Sequence, residues 1–481
     1  MIFNSLIFIV TFPIIIILYY SIPEKVKNAF LFLVSIGFYA CFKFSYVFLL
    51  LAVIVITYVS ALAMEGKTQK DKKKILVVDV VAAVSVLFLF KYTNMLLDSL
   101  NILADRVGMN FTESRMNWIL PVGISFYTFV ALGYLIDVYH GRMEAERDFI
   151  AFGTFVAFFP PLLSGPIERA ENLLKQIKDK KVFSEERILN GICRMLWGYF
   201  QKVVIADRIA VIVSAIYDND EAYTGIYVLL ATILYAFQIY CDFAGYSNLA
   251  IGASGILGFE LKENFNVPYK ATNISDFWDR WHISLSTWLR DYVYISLGGN
   301  RKGKVKKYRN LLITFFVSGI WHGANWTFVV WGALHGIYSV VHSMIADRWK
   351  MGKGKIITAL KMLCTFLMVD FAWLFFRADS VSHAFRLIGK MITNFDVLSL
   401  LNREMAISMG MEIIDIVVLV VALLILFVVD FSKQRINYRE RIVKAPLFIR
   451  WAIFYAVIFM ILIFGYYGPG FEAGQFIYAQ F

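Results

Sequence analysis

Charge is scarce in this chain. Of 481 residues only 17% are Asp, Glu, Lys or Arg, and 59% are hydrophobic. A soluble domain averages ~25% charged residues, and no polar stretch here exceeds a few tens of residues. These shortages exclude a soluble protein and predict an all-α polytopic membrane protein. Cysteine is scarce too. Cys41, Cys193, Cys241 and Cys364 lie scattered in or beside apolar segments, with no CxxC and no metal-ligand spacing. A disulfide framework is excluded, and small buried apolar residues are expected instead. The chain lacks a P-loop, a GxGxxG fingerprint and a GxSxG elbow. Neither ATP chemistry nor a soluble-hydrolase triad is expected; if the protein is a transferase, an activated donor must come from elsewhere. No HExxH is present, and no metal or tightly bound cofactor is predicted. No internal repeat is found, which counts against a repeat-built transporter. The N-terminus has no basic n-region and no small-residue cleavage site after Tyr20, so residues 2–20 read as a retained span.

What is present is a succession of apolar runs. Spans are expected near 2–20, 28–42, 45–63, 75–95, 118–138, 187–215, 226–243, 310–326, 327–346, 356–376, 412–430 and 450–468. The shorter stretches 149–165 and 244–260, interrupted or bounded by Gly or Pro, are candidates for re-entrant segments, which survive only where protein or a cavity covers the freed backbone groups. One domain over 1–481 is expected. The net charge of +11 sits in short loops: Lys67–Lys74, Lys175–Lys181, Arg301–Arg309, Arg348–Lys355 and Lys433–Arg450. That is the positive-inside pattern, not a nucleic-acid footprint, and it places these loops in the cytoplasm.

The segment 261–309 stands apart. Asp276, Asp279, Arg280, His282, Arg290 and Asp291 alternate with Phe277, Trp278, Trp281, Trp288, Tyr292 and Tyr294. If helical, it is an amphipathic stretch at or dipping into the interface, and Asp279 can share a face with His282. Forty residues on, His322 sits about twelve residues into an apolar run that opens at Asn310. At ~1.5 Å per helical residue that is roughly 18 Å, past the middle of a ~30 Å hydrocarbon core. An ionisable group at such depth usually marks a function. A neutral imidazole there can take a proton from a hydroxyl that attacks a thioester; the plainer alternative is a histidine bonded between packed helices. His335 and His342 are expected to pack. Asp242, at the end of an apolar run, needs a partner, and Gly245 and Ser247 permit close helix approach. Lys202, Asp207 and Arg208 interrupt a span and are expected to pair. Glu168 and Arg169 are expected to face solvent or headgroups.

Several motifs carry a resemblance. They are Pro121-Val-Gly-Ile-Ser-Phe-Tyr-Thr-Phe129, Ser164-Gly-Pro-Ile167, Asp242-Phe-Ala-Gly-Tyr-Ser247, Phe265-Asn-Val-Pro-Tyr269, the run Asp276 to Tyr292, Gly298-Gly-Asn-Arg301 and Trp321-His-Gly323. Together the sequence resembles the membrane-bound O-acyltransferases, in particular their bacterial alginate O-acetylase branch. The resemblance implies a motif-rich core over about 120–345 and a ring-like helical bundle of about twelve spans around a central tunnel. It implies His322 as the catalytic residue and His282 as its second polar group. Trp321, Asp276, Arg280, Arg290 and Asp242 are candidate substrate-site residues. It further implies an acyl thioester donor (acetyl-CoA or an acyl carrier protein), an extracytoplasmic partner of the SGNH-hydrolase type, a polysaccharide acceptor and a bacterial cytoplasmic membrane. Teichoic acid D-alanyl transfer is the alternative within the family, and a polysaccharide or lipid transporter is the alternative outside it.

Overall fold

The computed structural model describes residues 3–109, 116, 120–345, 354–402, 408–433, 435–467 and 477. Among them all regular structure is helical. Among the described residues seven helices are long and apolar enough to cross a membrane, and Leu6–Ser21 and Ile124–Tyr139 are shorter apolar helices. Most of the basic loop Arg348–Lys355 and the first residues of the expected span 118–138 lie outside the described residues. The chain forms two compact units, one of residues 1–192 with 250–262, the other of 193–249 with 263–480.

In the first unit, helix Phe44–Ala63 shows why these segments belong in lipid. Tyr46, Val47, Leu50, Ile54, Thr57 and Ala61 line its buried face at helical spacing, yet Phe44, Phe48, Val55 and Val59 remain exposed on the other. A helix apolar on both faces is stable only where hydrocarbon replaces water. The stretch 149–165 is broken as expected, into Phe149–Ala157 and Phe159–Leu162. The Phe159 N–H at the break donates to Ser35 Oγ at 3.1 Å, which satisfies a group that lipid cannot. Glu168 departs from expectation. It is buried, accepts from the Lys262 N–H at 2.6 Å and from Asn172 Nδ2 at 2.7 Å, and burial raises its carboxyl pKa. Sequence alone could not see that Lys262, far along the chain, supplies its donor. The cysteines also differ: Cys241 is buried, but Cys41 and Cys364 are exposed and Cys193 half-buried.

Further expectations are corrected along the chain. Residues 244–260 are not a separate re-entrant stretch, because helix Gly225–Ile256 runs through Gly245 unbroken. The segment 187–215 is not one regular helix. A π-helical turn, Phe200–Ala206, joins Glu185–Tyr199 to Asp207–Tyr217. The segment 261–309 is not one amphipathic helix but short helices, Pro268–Lys270, Ile274–Trp278, Ile283–Leu289 and the π turn Arg290–Tyr294. Phe277, Trp281, Leu285 and Trp288 are buried, so the segment folds into the protein rather than along its surface. Asp279 ends one short helix and His282 precedes the next, so they share no helix face.

Helices Lys304–His322 and Trp326–Ile345 form a hairpin joined by residues 323–325. Glycines set its closeness. A Cβ on Gly319 would come 2.4 Å from the Phe328 carbonyl oxygen, and one on Gly332 2.5 Å from that of Phe315. Backbone has nowhere to move there, so Gly319→Leu should spread the hairpin. Overpacking of this kind costs about 1–3 kcal/mol. Thermal unfolding of the detergent-solubilised protein should show a clear loss of stability, and an unchanged midpoint would contradict this packing.

Candidate active site

His322 is the last residue of its helix, at the hairpin tip, and is buried. The carboxyl end of a helix carries partial negative charge and favours a cation beside it. That suits an imidazole that becomes imidazolium in passing. Asn325 fastens the tip: its Nδ2 donates to the Asp379 carbonyl at 2.7 Å, and its Oδ1 accepts from the Thr327 N–H at 3.0 Å. The His322 ring is walled by aromatic rings, with centroids at 4.8 Å for Trp331, 5.1 Å for Trp321 and 5.3 Å for Phe376.

His282 arrives from the folded-in segment. It is fully buried and has φ +43°. Among the described residues the other non-glycine position with positive φ is Val267, in the same segment. Such conformations cost energy and persist where surrounding contacts over-determine them. Here the contacts are on Asn264. Its backbone carbonyl accepts from the Ile283 N–H at 3.0 Å, while its Oδ1 accepts from the Ser284 N–H at 3.3 Å and the Ser284 hydroxyl at 2.9 Å. The same Oδ1 lies 3.1 Å from His282 Nδ1. Phe243 meets the His282 ring edge-on at 4.6 Å. His282 lies outside the apolar spans, and its burial pushes its pKa down to about 3, so the ring is neutral in the resting protein.

The two histidine rings stand 6.5 Å apart between centroids. One oxygen can lie within hydrogen-bond reach of about 2.8 Å of either ring across such a span. The arrangement can hold a single hydroxyl between a ring that stays neutral and a ring within reach of its proton.

The other predicted site residues are placed as follows. Trp321 is buried and its ring lies 5.9 Å from that of His282. Asp276 and Arg280 pair with each other at 2.6 Å; Asp276 also accepts from the Thr272 N–H at 2.9 Å, and Arg280 donates to the Asn266 carbonyl at 3.3 Å. They brace the turn that carries His282. Arg290 is exposed and pairs with Asp291 at 2.9 Å. Asp242 is buried and bound to Lys202 at 2.6 Å, in the structural use its neighbours suggested. His335 packs among aromatic rings, including Trp331 at 4.8 Å and Trp278 at 5.0 Å. Among the described residues no three His, Cys, Asp or Glu side chains gather as a metal site requires. Asn264, Trp331 and Phe376 are the site neighbours that sequence reasoning missed. Asn264 stands one residue before the Phe265-Asn-Val-Pro-Tyr269 motif, which was the available signal.

A multi-pass helical membrane protein with two buried histidines whose ring centroids stand 6.5 Å apart is the class that fold and site define. The chain belongs to the membrane-bound O-acyltransferase family, whose model matches residues 34–380, and it is an acyltransferase. It is 38% identical over 427 residues to a probable alginate O-acetylase of Azotobacter vinelandii, covering 88% of this chain and 84% of that one. It is 34% identical over 425 residues to the peptidoglycan O-acetyltransferase of Helicobacter pylori, covering 82% and 80%. A teichoic acid D-alanyltransferase of Bacillus subtilis is 28% identical over 291 residues, covering 56% of this chain and 71% of the relative.

Proposed function

We propose that this protein is an O-acetyltransferase that serves a cell-surface or secreted polysaccharide from the bacterial cytoplasmic membrane. The buried His282–His322 pair, 6.5 Å apart within the family-matched region, is the observation that carries the reading. Relatives named for alginate and peptidoglycan O-acetylation support the acetyl group and the glycan acceptor. In this reading a thioester, acetyl-CoA or an acylated carrier protein, enters from the basic side. The acceptor hydroxyl, on an SGNH-type partner or on the polysaccharide itself, enters from the other. The new C–O bond forms as His322 takes the hydroxyl proton. The tetrahedral carbon then expels the thiolate, which takes that proton back from the imidazolium, leaving an ester, a thiol and a neutral His322. Before the proton moves, His282 accepts the hydroxyl's hydrogen bond and so docks the oxygen in the ground state. Trp321 walls the gap, Asp276, Arg280 and Arg290 shape its basic-side approach, and Asp242 supports the helix behind His282. No metal or bound cofactor takes part.

The test has two arms. Mass spectrometry of surface glycan should show acetyl esters that vanish when this gene is deleted and return with the wild-type gene. Purified protein in vesicles should consume acetyl-CoA or an acetylated carrier in the presence of acceptor. Alanyl rather than acetyl esters lost on deletion would transfer the reading to D-alanylation, and unchanged esters would overturn it.

A further inference from the structure

The tautomer of His282 can be read from its surroundings. Asn264 Oδ1 accepts from the backbone N–H of Ser284 at 3.3 Å, and a backbone amide can only donate. The Asn264 Nδ2 donates to Ser247 Oγ at 3.2 Å. Flipping the Asn264 amide would set its NH2 against the Ser284 N–H, donor against donor, so the orientation is fixed by chemistry. The atom 3.1 Å from His282 Nδ1 is therefore a carbonyl oxygen, and it carries no proton. For that contact to be a hydrogen bond, Nδ1 must carry one. Both residues are fully buried, where an unpaired charge is costly, so a second proton on the ring is disfavoured. Nε2 is left with its lone pair.

The structure assigns Asn264 as a positioning residue that sets the tautomer of His282, so that Nε2 is a permanent acceptor and the travelling proton belongs to His322. This rests on the reading of the two histidines as the reacting pair. It also explains why a strained backbone is retained at His282. The turn hands the N–H groups of Ile283 and Ser284 to the carbonyl and the side chain of one asparagine, and so fixes that asparagine against the ring of the residue just before them. The consequence is a division of labour. A hydroxyl bound between the rings donates to His282 in the ground state or to His322 when it reacts. His282 cannot compete as a proton donor to the leaving thiolate, because its only proton is held by Asn264 on the far edge of the ring.

Magic-angle-spinning NMR of the full-length, 15N-histidine-labelled protein in lipid bilayers tests this directly. The chain has six histidines, and the His282 signal is the one lost in His282→Gln. Nε2 couples to both carbon-bound ring protons and Nδ1 chiefly to one, so the cross-peak pattern names the protonated nitrogen. Wild-type protein, with neither donor nor acceptor added, should show Nδ1–H. Asn264→Leu should convert the signal partly or wholly to Nε2–H and lower kcat by ~10²-fold, in the range of a lost acid–base group, with KM for the thioester changed less than about threefold. Asn264→Asp keeps an acceptor at the same place, so Nδ1–H should persist and activity should recover above that of Asn264→Leu. An Nε2–H signal in the wild type overturns the assignment without recourse to any variant, which covers the case in which Asn264→Leu does not fold. An unchanged tautomer in Asn264→Leu overturns it as well. If Nδ1–H is found but no ester is ever formed, the tautomer assignment stands and the acyl-transfer reading falls.

Discussion

Replacing His322 with alanine should abolish ester formation while leaving the protein in the membrane at normal levels. Loss of a positioned general base typically costs 10²–10⁴-fold, and the effect here should lie toward the upper end. In the proposed reaction the travelling proton belongs to His322, since the neutral ring of His282 is held by Asn264. The fold should tolerate the change. His322 is the last residue of its helix, the hairpin is set by Gly319 and Gly332, and the tip is fastened by Asn325. His322→Gln, closer in size and still polar, should be as inactive as the alanine variant, because an amide cannot take the proton. Ester content of the glycan and single-turnover consumption of thioester are the measurements. Wild-type esterification in either variant would remove His322 from the reaction. His282→Gln should leave a larger residue of activity, since an amide oxygen can still accept a hydrogen bond at that place.

Much of the architecture was legible because lipid makes apolar length informative. The expected spans coincide with helices to within a few residues where hydrophobicity alone sets the boundary, as at Phe44–Ala63, Lys355–Arg377 and Ile413–Ser432. It failed where the boundary is set by tertiary contact. Gly245 looked like an interruption, but in a crowded bundle a glycine in mid-helix is a contact point. A Cβ there would lie 2.9 Å from the Gly198 carbonyl oxygen, and the helix continues past it. The 261–309 segment had the composition of an amphipathic helix, but its turns are held by distant partners such as Asn264 with Ser284 and Asn266 with Arg280. No local periodicity reports such bonds. The apolar run before His322 and the charged run Asp279-Arg-Trp-His282 drew attention to both histidines, because an ionisable group in an apolar setting is visible in one dimension. That Asp276 and Arg280 bind each other was readable from their i, i+4 spacing, and the pairing competes with any contact to substrate.

The largest stability effect should come not from the histidines but from Lys202. Its ammonium lies 2.8 Å from Asp207 and 2.6 Å from Asp242, with all three side chains almost wholly buried. The π turn and the glycine contact make this possible. Gly198 and Gly245 bring the two backbones together, and a Cβ on Gly245 would also lie 3.1 Å from the Lys202 N atom. Asp242 accepts a further bond from the Ile477 N–H at 2.8 Å. One cation thus serves two carboxylates, and removing it leaves both without a counter-charge in a dry interior. Breaking a buried pair from one side costs about 3–5 kcal/mol, and here two anions would be stranded at once. Lys202→Met should therefore unfold at markedly lower temperature in detergent and reach the membrane poorly. Neutralising the carboxylates should reverse much of the loss, because a buried ion cluster contributes little net stability over uncharged groups of the same shape. The triple variant Lys202→Met, Asp207→Asn, Asp242→Asn should then be more stable than Lys202→Met alone. If the single variant is as stable as wild type, the triad is not dry. If the triple variant is no better than the single, the damage comes from lost packing at the π turn rather than from stranded charge. Either result would sink the electrostatic account.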